Sequence, residues 1–165
     1  FRSDRGELQR HLPAAVALLA PYVNSYRRYV PDFAAPINLE WGRDNRTCAL
    51  RVVGQGSALR VENRVPGGDV NPYLTTAAIL GAALNGLQDR LDCPPPISGN
   101  AYDHALDQLP ASWGAAIDAF ERCPEIKRIL PQHLIDNLVM TKRQELHYMA
   151  ELSDEETVEL YLDTV

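Results

Sequence analysis

The chain has 165 residues, a length that fits one domain of ordinary size. Hydrophobic residues make up 45% of it and charged residues 23%, which excludes disorder over the whole length because disordered chains are poorer in apolar residues. The 16 Lys and Arg against 22 Asp and Glu give a net charge of −6, which argues against a protein that binds nucleic acid. A small phosphate ligand stays compatible, since it needs only a few local cations.

The sequence carries no sign of a membrane or a secretory pathway. No apolar run approaches the roughly 20 residues of a membrane helix, so we expect no membrane partner. The chain begins at Phe1 without an initiator Met or an apolar leader, and we expect it to be part of a longer polypeptide. Its three cysteines, Cys48, Cys93 and Cys123, show no CxxC spacing, which predicts a reduced, cytoplasmic setting.

The first half of the chain predicts one helix followed by strands. Leu and Ala dominate residues 7–19, which predicts a helix that ends before Pro21. Three strands are expected next, at 37–41, 47–53 and 58–65, and the Gly-rich residues between the last two are typical of a hairpin connection.

The second half predicts helices. Asn71 and Pro72 are typical of a helix start, and the small apolar residues at 73–91 predict a helix packed closely against a sheet. Further helices are expected at 112–122, 133–151 and 153–165, the last with a Ser153–Glu156 capping box. Strands early and helices late predict an α+β fold, with a small antiparallel sheet backed by helices and a helical C-terminal region.

One predicted strand carries an unusual charge pattern. Side chains alternate between the two faces of a strand, so Arg60, Glu62 and Arg64 share one face. A carboxylate between two guanidiniums could hold a divalent cation beside anionic substrate groups. The same pattern also fits a solvated face with cross-strand ion pairs, and the strand alone does not decide between them.

Arg51 on the preceding strand favours an anionic ligand. The hairpin would bring Arg51 beside Arg60 and Arg64, and like charges on neighbouring strands destabilise a sheet unless an anion lies between them. The alternative is that nearby carboxylates neutralise the cluster, namely Glu62, Glu40 and Asp44.

A series of ordered motifs resembles the C-terminal part of the catalytic domain of the glutamine synthetase superfamily. In chain order they are Asn24-Ser25-Tyr26-Arg27-Arg28, Asn45-Arg46, Arg51, Arg60-Val61-Glu62-Asn63-Arg64 and Asn71-Pro72-Tyr73-Leu74. The resemblance runs over nearly the whole chain, and we expect residues 1–165 to be the C-terminal portion of such a catalytic domain. We interpret the last motif as structural, because it starts a helix.

The resemblance implies roles for six residues. Glu62 would ligate Mg²⁺ or Mn²⁺ next to the transferred phosphoryl group, and Arg28 and Arg64 would bind the substrate glutamate. The phosphates of ATP would be contacted by three arginines, Arg46, Arg51 and Arg60. Arg46 would also be catalytic.

The resemblance also implies a reaction and an assembly. Family members make γ-glutamyl phosphate from glutamate and ATP, and an amine or ammonia then displaces the phosphate. They form homo-oligomeric dodecamers of two rings, in which a neighbouring subunit completes each site. The family's other metal ligands would lie upstream of Phe1, so we expect no activity from these residues alone, and a catalytically inactive relative remains an alternative.

One departure from the family bears on the acceptor. Glutamine synthetases carry a Glu in the loop that closes over the site, and Ala34 stands at that position. Asp32, two residues before Ala34, is a carboxylate that could replace this Glu as the base, but its position alone does not support that role. The segment from Trp41 to Thr47 is more similar to γ-glutamylputrescine synthetases and related γ-glutamyl-amine ligases. We therefore expect an organic amine or polyamine as the acceptor, with ammonia as the alternative.

Tyr102 lies near the position where some bacterial glutamine synthetases carry a regulatory tyrosine. The residues around it differ from that pattern, which favours an ordinary loop tyrosine.

Overall fold

The computed structural model describes residues 3–33 and 35–162. Its α-helices and strands, in chain order, are α1 (Ser3–Leu19), β1 (Trp41–Arg43), β2 (Leu50–Val53), β3 (Arg60–Asn63), α2 (Pro72–Asp89), α3 (Trp113–Arg122), α4 (Ile126–Ile129), α5 (Gln132–Met149) and α6 (Asp154–Leu162). Short 3₁₀ turns lie at Val23–Arg28, Gly56–Ala58 and Ala101–Asp103. The predicted α+β class is confirmed. None of the described helices is long and apolar enough to cross a membrane.

Helix α1 forms the centre of the core. Its residues Leu12, Val16 and Leu19 are almost completely buried, and it packs against both α2 and α3. The large side chains of α3, Trp113 and Phe120, join the same hydrophobic cluster. A helix buried on most of its circumference is apolar all round, which agrees with the Leu and Ala of its second half.

The ends of the later helices follow local capping chemistry. The Asn71 side chain accepts hydrogen bonds from the backbone N–H groups of Tyr73 and Leu74, at 3.0 and 3.2 Å, so the predicted start of α2 is confirmed. The predicted capping box of α6 is also confirmed, because Ser153 and Glu156 each accept a hydrogen bond from the other's backbone N–H.

The sheet is mixed, and the prediction of an antiparallel sheet is wrong for one of its two pairings. Strand β2 pairs antiparallel with β3, as the hairpin predicted, but parallel with β1. The chain returns between β1 and β2 within residues 44–49, although parallel strands usually need a much longer connection. The predicted strand at 37–41 is reduced to an isolated bridge between Asn38 and Gln108, and β1 begins only at Trp41.

Helix α2 packs mainly on helices rather than on the sheet, which corrects the expectation from its small residues. Its principal neighbours are α1 and α4. A Cβ atom at Gly81 would lie 2.4 Å from Cγ2 of Ile129 in α4, so this glycine permits the close approach of the two helices. The opposite face of α2 exposes Leu80, Leu84 and Leu87.

We expect Gly81→Ala to lower the melting temperature of the full-length protein by about 2–4 °C. The added methyl group overlaps Ile129, and overpacking of this kind costs about 1–3 kcal/mol, which exceeds the 0.5–1 kcal/mol that Ala gains over Gly in a helix. Thermal unfolding followed by circular dichroism measures the change.

Gly114→Ala is the matched control. A Cβ atom at Gly114 in α3 meets only Cδ2 of Leu146, at an ordinary 3.4 Å, so this variant should be as stable as the wild type or slightly more so. A Gly81→Ala protein that melts no lower than Gly114→Ala would contradict the close approach.

Candidate functional site

The turn that carries Arg46 is held by the side chain of Asn45. The Oδ1 atom of Asn45 accepts hydrogen bonds from the backbone N–H and the hydroxyl of Thr47, at 3.0 and 2.7 Å. Its Nδ2 atom donates to the carbonyl oxygen of Gly99 at 2.8 Å. Arg46 is exposed between these two anchored residues, and among the described residues its guanidinium makes no hydrogen bond or ion pair.

Arg46 lines two neighbouring pockets. The larger pocket, of about 700 Å³, is also lined by Arg43, Asp44, Arg51 and residues 96–99. The smaller pocket, of about 440 Å³, is also lined by Thr47, Arg64, Asp32, Phe33, Asn100 and Tyr102. Arg46 is therefore shared by a pocket that Arg51 lines and a pocket that Arg64 lines.

Glu62 joins Arg51 and Arg64 in one ion cluster. Arg51 lies directly opposite Glu62 in the β2–β3 pairing, and its Nη1 atom is 3.1 Å from Oε2 of Glu62. The Nη1 atom of Arg64 is 2.9 Å from the other oxygen, Oε1. Arg51 also forms an ion pair with Asp44, whose backbone N–H bonds to the carbonyl of Val52.

The strand pattern left open whether an anionic ligand or nearby carboxylates balance the arginines, and these contacts answer part of that question. The carboxylates of Glu62 and Asp44 neutralise Arg51 and Arg64, as one alternative supposed, whereas Glu40 accepts a hydrogen bond from Gln9 instead, at 2.9 Å. The ion cluster does not include Arg46, so the pockets keep an unneutralised cation within the described part of the chain.

The charge state of Glu62 suits a metal ligand. Burial raises the pKa of its carboxyl, but the hydrogen bonds and charges of Arg64 and Arg51 outweigh that effect and hold the pKa below its ordinary value. The group is therefore ionised at neutral pH. Each carboxylate oxygen accepts a hydrogen bond from one of the two guanidiniums, which leaves further lone pairs for a cation.

Among the described residues, Glu62 is the candidate protein ligand of a metal. The described residues contain no group of three or more His, Cys, Asp or Glu side chains that could hold an ion. Mg²⁺ is commonly bound through one or two carboxylates, and water and phosphate oxygens complete its coordination shell. Glu62 could supply one such carboxylate.

Three of the predicted site residues do not line either pocket: Arg28, Arg60 and Glu62, the last of which contacts the lining residues Arg51 and Arg64. Arg60 is exposed, and its Nη1 atom makes a 3.4 Å hydrogen bond to the carbonyl of Ala58. Arg28 donates to the carbonyl oxygens of Val65 and Pro66, at 3.3 and 3.4 Å. The structure thus brings Arg46, Arg51, Glu62 and Arg64 together, while Arg28 bonds to the two residues that follow Arg64 and lies over the ring of Tyr29.

Some pocket residues were missed by the sequence analysis. Tyr102, interpreted there as an ordinary loop tyrosine, lines the smaller pocket beside Asp32 and Phe33. Asn45 was noted only as part of a motif, although an Asn followed two residues later by Thr is typical of a side-chain-stabilised turn. Ala34, where the missing Glu is expected, lies outside the described residues.

Comparison with known proteins identifies the family. Residues 4–161 match the family model of the glutamine synthetase catalytic domain. A gamma-glutamylethanolamide synthetase of Streptomyces coelicolor is 44% identical over 129 residues, which cover 78% of this chain and 28% of that protein.

Two further relatives differ in their acceptors. The gamma-glutamylputrescine synthetase of Escherichia coli is 36% identical over 92% of this chain and 32% of its own length. A glutamine synthetase of Methanocaldococcus jannaschii is 35% identical over 82% of this chain and 32% of its own length. The chain thus spans about a third of the length of these relatives. Since the family model covers residues 4–161 and these relatives are 35–44% identical, the chain belongs to the glutamine synthetase family.

Proposed function

We propose that the full-length protein ligates an amine to the γ-carboxylate of glutamate in an ATP-dependent reaction, and that this chain is the C-terminal part of its catalytic domain. The observation that carries the proposal is the position of Arg46 between the pocket of Arg51 and the pocket of Arg64. Phosphoryl transfer requires the donor and the acceptor to meet at one point, where positive charge stabilises the transition state.

The larger pocket is the proposed site of the ATP phosphates, and the smaller pocket is the proposed site of glutamate. A γ-carboxylate oxygen of glutamate attacks the terminal phosphorus of ATP, and ADP leaves with the bonding electron pair. Arg46 and Arg51 face the phosphates, and Arg64 binds the glutamate, with Arg28 and Arg60 as further predicted contacts. A bound Mg²⁺ or Mn²⁺ ion, ligated in part by Glu62, would neutralise phosphate charge.

In the second step the neutral amine attacks the carbonyl carbon of γ-glutamyl phosphate, the bond from that carbon to the phosphate oxygen breaks, and inorganic phosphate leaves with the proton that the nitrogen loses. We propose an organic amine as the acceptor, for two reasons. Ala34 stands where glutamine synthetases carry a Glu, and two of the relatives are named for ethanolamine and putrescine products. Glutamine synthetases match as well, so ammonia is the second candidate.

The proposal extends to the setting of the enzyme. Family resemblance supports a homo-oligomer, a dodecamer of two rings. The three cysteines show no CxxC spacing, and we propose a reducing compartment, the cytoplasm.

An amine panel tests the acceptor. We expect the full-length protein to release phosphate from ATP, in the presence of glutamate, with ethanolamine, putrescine, ethylamine or spermidine at a higher kcat/KM than with ammonium. The product is identified by mass spectrometry. Turnover with ammonium alone would refute the organic-amine acceptor, and no turnover with any amine would favour the inactive-relative alternative.

Arg46→Gln tests the position between the pockets. We expect kcat to fall roughly 100-fold or more, because the guanidinium stabilises charge that develops during phosphoryl transfer. The control is Arg122→Gln, whose exposed side chain pairs only with Asp118 on its own helix and should leave kcat unchanged. Equal kcat values for the two variants would contradict the role of Arg46.

Glu62→Gln tests the metal ligand. We expect the Mg²⁺ concentration for half-maximal activity to rise at least tenfold, since an amide binds Mg²⁺ more weakly than a carboxylate does. Glu159→Gln on the exposed side of α6 is the matched control. A variant with lower kcat but the same Mg²⁺ dependence would show that Glu62 only orients Arg51 and Arg64.

A further inference from the structure

The smaller pocket has two walls of different character. One wall consists of Arg46, Thr47 and Arg64, which belong to the sheet and its turn. The other wall contains Tyr102 together with two adjacent residues, Asp32 and Phe33. We call Asp32 and Phe33 the tip. The function proposed above uses the first wall and leaves the second without a role.

Tyr102 stands on a segment that is anchored to the turn of Arg46. The hydroxyl of Thr47 accepts a hydrogen bond from the backbone N–H of Ala101, at 2.8 Å, and Ala101 is buried. The Asn100 side chain accepts from the backbone N–H of Tyr102 at 3.2 Å. Together with the bond from Asn45 to Gly99, these contacts fix the position of the Tyr102 ring relative to Arg46.

The hydroxyl of Tyr102 holds the tip. It lies 2.9 Å from the carbonyl oxygen of Ala35 and 3.4 Å from that of Phe33, and it donates to them. The backbone N–H of Phe33 bonds only locally, to the carbonyl of Val30 at 3.2 Å. Ala35 is buried, but the side chain of Phe33 is 67% exposed, so the tip projects from the protein body with Tyr102 as its support.

The surroundings keep this hydroxyl protonated. Burial raises the pKa of Tyr102 above its ordinary value, and the negative charge of Asp32 raises it further, against the opposing charge of Arg64. Tyr102 therefore interacts electrostatically with Asp32 on its own wall and with Arg64 on the opposite wall.

We propose that Tyr102 is a positioning residue that holds the tip against the smaller pocket and thereby sets the affinity for the acceptor amine. The inference rests on the proposed function. With phosphate facing Arg46 and glutamate on Arg64, the amine approaches the carbonyl carbon from the remaining side, where Asp32 and Phe33 lie. Asp32 attracts a cationic amine, and the exposed ring of Phe33 contacts its alkyl part.

Tyr102→Phe in the full-length protein tests the inference, because it removes the hydroxyl and keeps the ring. We expect the KM for the acceptor to rise roughly three- to tenfold, the loss of about one hydrogen bond. The KM values for ATP and glutamate should stay within about twofold, since the first wall is untouched. Hydrogen exchange at the Phe33 amide should become faster.

Tyr73→Phe is the matched control. Tyr73 is 84% exposed on α2, far along the chain from either wall, and its loss of a hydroxyl should change none of these values. A Tyr102→Phe protein that matches this control in acceptor KM and in exchange at Phe33 would overturn the inference. An equal rise of all three KM values would also overturn it, since it would indicate general damage to the site.

The acceptor used is whichever amine the wild type turns over, so the two proposals fail separately. Turnover with ammonium alone refutes the organic-amine acceptor and still tests Tyr102 through the KM for ammonium. If the wild type turns over no amine, the proposed function fails, and exchange at Phe33 still decides whether Tyr102 holds the tip.

Discussion

The pairing register of β2 with β3 is the constraint on which the candidate site depends. Burial sets this register, because Leu50 and Val52 face the core and are at most 3% exposed. A slip of one residue would turn these side chains outward and the charged ones inward. Since the register is held on the apolar face, Arg51 lies opposite Glu62 on the other face. The hydrophobic effect thus places an ion cluster whose own contribution to stability is small.

The second level of organisation is made by polar side chains in loops. The side chains of Asn45 and Thr47 form hydrogen bonds to each other and to residues 99–101. The hydroxyl of Tyr102, the next residue, donates to the carbonyl oxygens of Phe33 and Ala35. Three chain segments that are distant in sequence therefore surround one pocket and are joined by hydrogen bonds. Hydrogen bonds of this kind are directional, so they position side chains more sharply than they stabilise the fold.

Features encoded by neighbouring residues could be predicted from the sequence, and features that depend on distant contacts could not. The caps at Asn71 and Ser153 and the charged face of β3 follow from local patterns, and the structure contains all of them. The parallel direction of β1 could not be read from periodicity, which reports the face of a residue but not its partner strand. Tyr102 was missed for the same reason, because its partners Phe33 and Ala35 lie more than 60 residues away.

The ion cluster also bears on the proposal that this acidic chain binds anionic substrates. Without ligands, Asp44 and Glu62 offset Arg51 and Arg64, so the folded site avoids the repulsion of bare guanidiniums. A cation bound to the remaining lone pairs of Glu62 would weaken the attraction of the carboxylate for both arginines. Their donors would then be more available for phosphate and carboxylate, so metal and substrate binding would strengthen each other. Arg46 needs no such release, because it has no carboxylate partner among the described residues, and this suits it to the transferred phosphoryl group.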